Sequence, residues 1–208
     1  MINKLIRITI FVLILLSLLT TTLISQNKEL ELYPIKAKIM HGHECDIDPE
    51  EGGFLLLENI NASSCLKDDT GINYSIEKAI KGTIKEAWCV KGDGAGEWMR
   101  ADIPLNQLMQ EGMANVYRIL ILNGLGANKN LYYANNRVKK IRVDFSEGQR
   151  RILNLKDGEM ELQRFVIHIK SKWIKLTILE TYKGSKYNDT CIGKLIFETT
   201  DHPDDKKK

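Results

Sequence analysis

The sequence predicts an all-β fold of the sandwich or barrel type. Beyond Ile84, short apolar runs recur at intervals, with Gly, Asn or Asp between them. Within these runs apolar and polar residues alternate, which is the period of a strand with one buried face. The run Val138–Phe145 shows this clearly, because Ile141, Val143 and Phe145 share one face while charged residues occupy the other. Many short strands at such spacing are typical of β-sandwiches and barrels.

Five further runs are predicted to be strands: Phe54–Ile60, Asn115–Leu122, Arg164–Lys170, Trp173–Leu179 and Ile192–Glu198. His168 lies inside one of these alternating runs, so we expect an outward-facing strand histidine and not a catalytic base. The stretch Ala62–Thr83 is rich in turn-forming residues, and it predicts a loop with one helical turn at Ile76–Ile80.

The N-terminus has the features of an export signal. Lys4 and Arg7 precede the apolar run Ile8–Leu19, which is followed by the short stretch Thr20–Ser25. A basic start and a short apolar run are typical of a cleaved signal peptide. An uncleaved anchor is the alternative, because about 17 apolar residues nearly span a bilayer. Residues 1–25 are therefore predicted to be a signal peptide or anchor, and the protein to be secreted or held in the cell envelope.

Composition and charge divide the rest of the chain. We expect an N-terminal extension over residues 26–60, the β domain over 61–199 and a disordered charged tail over 200–208. The formal net charge of the chain is +3, and it falls to +1 when Lys4 and Arg7 leave with the signal. So small a charge gives no support to nucleic-acid binding. Contact with a membrane is expected only if the N-terminal segment is retained.

Four cysteines follow the signal: Cys45, Cys65, Cys89 and Cys191. An even number in an exported protein predicts disulfides, and three pairings are possible. The stretch His41–Cys45 holds two histidines, a glutamate and a cysteine, which makes a metal site the alternative. Zinc sites usually need a second pair of ligands at a matching spacing. The sequence has none, so no metal and no other cofactor is predicted.

The stretch Lys91–Arg100 reads KGDGAGEWMR, with glycines at positions 92, 94 and 96. A nucleotide-binding fingerprint needs Gly-x-Gly-x-x-Gly followed by a helix. Here the spacing differs and a short aromatic segment ending in proline follows, so we expect a tight loop with glycines at positive φ. The sequence also lacks a nucleophile elbow, a metalloprotease motif and a paired-carboxylate motif. No enzymatic activity is therefore predicted.

Four segments together resemble the NADase-type glycan-binding domain of exported bacterial proteins. They are Ala87–Met99, Ile121–Gly148, Leu155–Asp157 and Tyr182–Phe197. That family belongs with the discoidin-like, galactose-binding jelly rolls. The resemblance covers about two thirds of the chain and implies a jelly-roll β-sandwich with glycans as partners. It does not imply NADase activity, because the catalytic domain of such proteins is a separate module.

The resemblance also implies a binding site in the loops at one end of the sandwich. Sugars present a flat apolar face and directional hydroxyl groups, so aromatic rings and Asn, Asp or Arg side chains suit them. The candidate ligand-binding residues of these types are Trp88, Tyr132, Tyr133, Asn135, Asn136, Arg137, Tyr182, Tyr187 and Asp189. Asn side chains in turns often hold the backbone instead. Arg137 either donates hydrogen bonds to a sugar or anchors its loop to Asp189.

Jelly rolls often bring an early strand beside the last one, which implies a Cys89–Cys191 disulfide. A Cys45–Cys65 bridge would tie the extension to the domain. Lys81 stands where many such domains have an acid beside a structural calcium ion, which argues against bound calcium.

The predicted function is that of a non-catalytic carbohydrate-binding module. The alternative is a protein-binding adhesin or envelope interaction protein that uses the same loops. An enzyme acting on sugars or nucleotides is a weaker third hypothesis.

Overall fold

The computed structural model describes residues 29–35, 53–108, 112–126 and 128–200. The chain divides into two units, residues 1–30 and 31–208, and nearly all described residues belong to the second. The predicted signal over residues 1–25, the His41–Cys45 motif and residues 201–208 of the predicted tail lie outside the described residues. Within the described ranges, no helix is both long enough and apolar enough to cross a membrane.

Strands dominate the described residues, as predicted. They are β1 (Leu30–Leu32), β2 (Glu58–Ala62), β3 (Leu66–Lys67), β4 (Asn73–Tyr74), β5 (Trp88–Val90), β6 (Trp98–Asp102), β7 (Ala114–Asn123), β8 (Asn136–Phe145), β9 (Arg150–Asn154), β10 (Leu162–Ser171), β11 (Trp173–Tyr182) and β12 (Thr190–Glu198). Two short helices, α1 (Ile76–Lys81) and α2 (Lys129–Ala134), and one 3-10 turn (Leu105–Gln107) interrupt them. Helix α1 confirms the helical turn predicted at Ile76–Ile80.

The strands form a jelly-roll β-sandwich. Ten of them belong to one sheet, in the order β10-β7-β12-β8-β11-β6-β2, with β5 added beside β12, β9 beside β8 and β1 beside β9. Strands β3 and β4 form a separate hairpin. The link between β12 and β8 is a short parallel pairing of Thr190 with Asn136 and Cys191 with Arg137. This junction joins two layers, one built on β10, β7, β12 and β5 and the other on β9, β8, β11, β6 and β2.

The predicted alternation places one face of each strand in a shared core. The buried members on β8, β10 and β11 are Ile141, Val143, Phe145, Phe165, Ile167, Ile169, Ile174, Leu176 and Ile178. Each such side chain contributes roughly 1.5–3 kcal/mol relative to an exposed one. The period-two interpretation of the sequence is therefore confirmed for the central strands. His168 is exposed, as expected.

The domain begins earlier than residue 61. Leu55 and Leu57 belong to the core cluster, and the backbone N–H of Leu55 donates to the carbonyl of Phe197 (2.8 Å). Strand β2 then starts at Glu58 and pairs with β6. The predicted boundary at residue 61 assigned these residues to the extension, because a single apolar run does not reveal which partner strand covers it.

The predicted Cys89–Cys191 disulfide is present. The two residues lie directly opposite each other where β5 pairs with β12, and they are 102 residues apart in sequence. Closing a loop of about 100 residues is worth about 4.7 kcal/mol in the chain-entropy model. Cys65 is exposed, and among the described residues it forms no disulfide. Its predicted partner, Cys45, lies outside the described residues, so that pairing stays a prediction.

Candidate functional site

Several strands begin or end at the same end of the sandwich. Strand β8 begins at Asn136 beside the start of β12, and β11 ends at Tyr182, opposite Arg137. The segments 124–135, 155–161 and 183–189, together with the β3–β4 hairpin, therefore gather here. We call this the loop end. Every candidate binding residue predicted from the sequence lies in or next to these segments.

Helix α2 carries two adjacent tyrosines into this end. Asn128 caps the helix, because its side chain accepts a hydrogen bond from the backbone N–H of Leu131 (2.9 Å). Just before it, Gly124 has φ of +69°, and a Cβ there would meet the side chains of Arg137 and Tyr132. A glycine is therefore required at that position. Tyr132 points into the protein and is fully buried, whereas Tyr133 is 38% exposed.

Arg137 anchors three loops. Its guanidinium makes two hydrogen bonds to the carboxylate of Asp157, Nε to Oδ1 (2.9 Å) and Nη2 to Oδ2 (3.0 Å). Nη1 donates to the backbone carbonyls of Asn135 (2.8 Å) and Lys183 (3.2 Å). The side chain is buried, so it has no face to offer a ligand. Of the two roles expected for Arg137, the geometry favours the anchor, and the partner is Asp157 and not Asp189.

Neighbouring groups fix the protonation states of the side chains in this network. Hydrogen bonds from Arg137 lower the pKa of Asp157, whose carboxylate therefore stays ionised. Burial, and after it the charge of Asp157, raise the pKa of Tyr132 to about 12. The neutral Tyr132 hydroxyl accepts a hydrogen bond from the backbone N–H of Gly158 (3.1 Å). Tyr132 and Arg137 are thus buried and hydrogen-bonded within the protein, while Asp157 lies at the exposed edge of the network.

Two Asn side chains that were predicted to bind ligand form hydrogen bonds with backbone groups of nearby loops. Asn136 accepts from the N–H of Gly184 (2.7 Å) and donates to the carbonyl of Asn188 (2.7 Å). Asn135 donates to the carbonyl of Leu131 at the end of α2 (2.9 Å). Both are buried, which is the backbone-holding role that Asn often has in turns.

Trp88 and Tyr182 serve the fold as well. Trp88 is buried in the core, and its indole N–H donates to the carbonyl of Ser64 (2.9 Å). The expectation that Trp88 offers a stacking face to a sugar does not fit this position, because its ring is enclosed by the core. Tyr182 is half-buried and its hydroxyl donates to the carbonyl of Leu155 (3.0 Å). Both residues therefore hold neighbouring backbone through their hydrogen bonds.

A cleft of about 460 Å³ opens beside this network, between the β3–β4 hairpin and the 183–189 loop. Its walls carry the aromatic rings of Tyr74 and Tyr187, and its floor includes the Cys89–Cys191 disulfide. Polar groups also line it, namely Asp68, Asp69, Thr70, Asn135 and Asp189. A second depression, also about 460 Å³, lies between α2 and the same loop and contains Tyr133. Tyr187 borders both depressions and is 43% exposed.

The three carboxylates of the cleft differ in how many hydrogen bonds they accept from the protein. Asp68 Oδ1 accepts from the backbone N–H groups of Thr70 (3.0 Å) and Ile72 (2.8 Å) and shapes the hairpin turn. The Thr70 hydroxyl, which also bonds Asp68, is the largest of the causes that lower the pKa of this carboxyl. Asp189 has one long contact, from the N–H of Gly92 (3.4 Å). Within the described ranges Asp69 has no hydrogen-bond partner, so Asp69 and Asp189 retain acceptors for a ligand.

The glycine-rich stretch forms part of the scaffold around this end. Gly92, Gly94 and Gly96 all have positive φ, as predicted for a tight loop. A Cβ at Gly94 would meet the side chains of Val90 and Thr190. The Thr190 hydroxyl in turn donates to the carbonyl of Gly92 (2.9 Å). The loop therefore packs on Thr190, the first residue of β12.

The residues at the end of α1 do not fit a structural calcium ion. The Nζ of Lys194 donates to the carbonyl oxygens of Ile80 (3.0 Å) and Gly82 (2.5 Å), which flank Lys81. An ammonium group thus occupies the place where carbonyl oxygens converge. Burial lowers the pKa of Lys194. Within the described ranges, no group of three or more His, Cys, Asp or Glu side chains is placed to hold a metal.

Two features of the loop end were not identified from the sequence. Asp157, the partner of Arg137, lies in the segment Leu155–Asp157, but the sequence does not predict the pairing because nothing local links residues 20 positions apart. The β3–β4 hairpin was predicted as loop. Its signal was the turn sequence Lys67–Gly71, KDDTG, in which Asp68 bonds the backbone of its own turn.

Comparison with known proteins agrees with this architecture. The family model described as NAD glycohydrolase translocation F5/8 type C domain matches residues 52–198, which confirms the resemblance. CBM32-3 from a family 31 glycoside hydrolase of Clostridium perfringens is 17% identical, with 69% of this chain and 90% of that chain covered and a TM-score of 0.50. This similarity supports the jelly-roll fold. The family 32 CBM of NanJ from C. perfringens, in complex with galactose, is also 17% identical, covering 67% of this chain and 92% of that one with a TM-score of 0.46. Comparison with curated proteins gave no match.

Proposed function

This chain belongs to the NAD glycohydrolase translocation F5/8 type C domain family, and we propose that it is a non-catalytic carbohydrate-binding module of an exported bacterial protein. The ligand is a glycan, recognised at the loop end. The export signal predicted over residues 1–25 supports the location, which is outside the cytoplasm or in the cell envelope.

The observation that carries this function is the chemistry of the cleft bordered by Tyr187. It combines the exposed ring of Tyr187 and the partly buried ring of Tyr74 with carboxylate oxygens that keep free acceptor positions. Pyranose rings need these two elements together, an apolar surface for the C–H face and acceptors for the hydroxyl groups. The buried disulfide and the Arg137–Asp157 network hold the surrounding loops in place, so the site is preformed.

Within the predicted set of ligand-binding residues, the exposed members are the best candidates for contact. Tyr187 borders both depressions, Tyr133 lies in the second, and Asp189 lines the first. We assign Tyr187 the stacking role and Asp189 the role of hydroxyl acceptor, with Asp69 added from the hairpin. Trp88, Tyr132, Asn136 and Arg137 are assigned to the scaffold that positions them.

Binding without catalysis fits the state of the carboxylates. A glycosidase needs a pair of carboxyl groups, one of which acts as a general acid with a raised pKa. Asp68 has the opposite shift, because its hydrogen bonds lower its pKa. Its Oδ1 atom is also committed to the hairpin backbone. The cleft therefore supplies recognition groups and no identified acid.

A glycan array followed by calorimetry tests the proposal. For any glycan that binds, Tyr187→Ala should weaken affinity about three- to tenfold, the scale of one lost stacking contact. Tyr33→Ala is the matched control, because Tyr33 is also an exposed tyrosine but lies outside the cleft. Unchanged affinity in Tyr187→Ala would exclude the cleft. Binding to a purified protein that free sugar does not compete would favour the adhesin alternative.

A further inference from the structure

A separate groove lies on the outer face of the sheet, away from the loop end. Its volume is about 310 Å³, and it is lined by Asn59, Asn61, Ala62, Trp98, Arg100 and Asp102. Small-molecule sites begin at about 300 Å³. The loop-end residues have no part in it.

The alternation of β6 explains why these side chains point outward. Met99 and Ala101 are fully buried in the core, so Trp98, Arg100 and Asp102 must face the other side of the strand. Strand β2 pairs with β6 through a register irregularity between Glu58 and Asn61, and Asn59 has φ of +48°. Such a bulge redirects side chains, and here the Asn59 and Asn61 amides come to line the groove beside β6.

The polar groups of the groove are partly paired and electrically balanced. Asn59 Nδ2 donates to Asp102 Oδ2 (3.1 Å), and Arg100 Nη2 bonds Asp102 Oδ1 (3.3 Å). Asn61 Nδ2 donates to the backbone carbonyl of Asn59 (2.7 Å). Within the described ranges, the side-chain oxygens of Asn59 and Asn61 have no donor. Among the residues that line the groove, the charges of Arg100 and Asp102 cancel, and two amide oxygens stay open to a ligand hydroxyl.

Trp98 supplies an aromatic wall. Its side chain is only partly buried, and Lys175 Nζ lies 4.8 Å from the ring centroid. On the same face, Arg100 lies over the ring of Trp173 (4.9 Å). The cations fix the orientation of both rings, since a cation over an indole face is held by the ring quadrupole.

We propose that this groove is a second carbohydrate subsite, which takes a neutral hexose unit. An indole wall, two amide oxygens and a balanced Arg–Asp pair match the C–H face and hydroxyl groups of an uncharged sugar. A charged sugar would gain no net attraction from the paired charges. The subsite is independent of the loop-end cleft. Trp98 lies opposite Thr177 on β11. Thr177 is five residues before Tyr182, which lies at the loop end, so the two positions on this strand are about 17 Å apart.

Two-dimensional ¹H–¹⁵N NMR of the full chain tests this subsite. The chain has three tryptophans, so three indole N–H signals can be assigned by substitution. Neutral hexasaccharides of the gluco, manno and galacto series are titrated to about 10 mM, which detects Kd values in the mM range. We expect the Trp98 signal to shift saturably with at least one of them. The Trp88 signal is the internal control, because that indole is buried and bonded to Ser64.

Two variants separate this subsite from the loop-end cleft. Asn61→Ala should raise the Kd read from Trp98 about three- to tenfold, the effect of one lost hydrogen bond. Asn130→Ala, which changes an exposed Asn on α2, should leave it unchanged. The Trp98 shift should persist in Tyr187→Ala even if loop-end binding is lost. No shift of Trp98 with any of the three series, or a shift abolished by Tyr187→Ala, would overturn the second subsite.

Discussion

The two halves of the loop end use the same residue types in opposite ways. On one side Tyr132, Asn136 and Arg137 are buried, and each hydrogen-bonds to other parts of the protein, Arg137 to Asp157. On the other side Tyr187 and Asp189 line an open cleft. Residue type alone therefore does not distinguish scaffold from recognition. What distinguishes them is whether the polar atoms already have partners inside the protein.

The disulfide should give the largest effect, because it underlies both halves. The double variant Cys89→Ala/Cys191→Ala removes the link between β5 and β12. We expect a loss of about 4 kcal/mol in the free energy of unfolding, measured by urea denaturation. Ser64→Ala is the control and should change stability by less than about 0.5 kcal/mol, because its side chain is exposed. Equal decreases in the free energy of unfolding of both variants would show that the disulfide does not stabilise the fold.

Arg137→Ala is the direct test of the scaffold half. Leaving Asp157 and two backbone carbonyls without their donor should cost about 3 kcal/mol of stability. Arg100→Ala is a matched control with an exposed guanidinium, and it should cost less than about 1 kcal/mol. Glycan affinity of the remaining folded Arg137→Ala protein should be unchanged. A large loss of glycan affinity with unchanged stability would show that Arg137 contacts the ligand and is not part of the scaffold.

The same ion pair predicts an acid limb in stability. The pKa of Asp157 is lowered in the folded protein, so its contribution is present above the unfolded pKa of about 4. That contribution is lost as the pH falls through the folded pKa. Melting curves between pH 7 and pH 2 should therefore fall less steeply for Asp157→Asn than for the unchanged protein. Parallel profiles would show that Asp157 is not linked to folding.

Two buried threonines, Thr177 and Thr190, test the same distinction between polar atoms with and without a partner inside the protein. The Thr177 hydroxyl oxygen is the one buried side-chain nitrogen or oxygen atom without a hydrogen-bond partner in the described part of the chain. Thr177→Val should stabilise the protein by about 1 kcal/mol, since an unsatisfied buried hydroxyl is costly. Thr190→Val should destabilise it by a similar amount, because the Thr190 hydroxyl bonds Gly92. Chemical denaturation of both variants gives the answer, and effects of the same sign would contradict it.

Tyr187→Ala should have the smallest effect on stability. The ring is exposed and borders the cleft, so its removal should change the free energy of unfolding by less than about 0.5 kcal/mol. Tyr132→Ala, in the neighbouring scaffold, should cost about 3 kcal/mol or more because that ring is fully buried. Comparable thermal shifts for the two variants would contradict the division into scaffold and recognition halves.

The strands could be predicted from the sequence because their signal is local. Ile141, Val143 and Phe145 alternate with charged residues, and a period of two has one physical cause, a sheet with a buried face. The Cys89–Cys191 pair could be predicted once the jelly roll was identified, since the fold fixes which strands are neighbours. These are the parts of the molecule where sequence and structure agree.

The roles of individual loop residues could not be predicted in the same way. Tyr132 and Tyr133 are neighbours on a helix of six residues, which is too short to show which side is buried. Arg137 pairs with Asp157, which lies on a loop 20 residues further along the chain. By residue type alone, Asp189 is an equally suitable partner. Pairing of this kind depends on loop conformation, which alternation does not encode.

Lys194 has a consequence for the surroundings in which this protein can work. Its ammonium group is covalently attached to β12 and bonds the carbonyls that end α1. A metal ion at the same oxygens would link stability to its own free concentration by mass action. A tethered cation cannot be diluted, exchanged or chelated. The domain should therefore keep its fold where calcium is scarce.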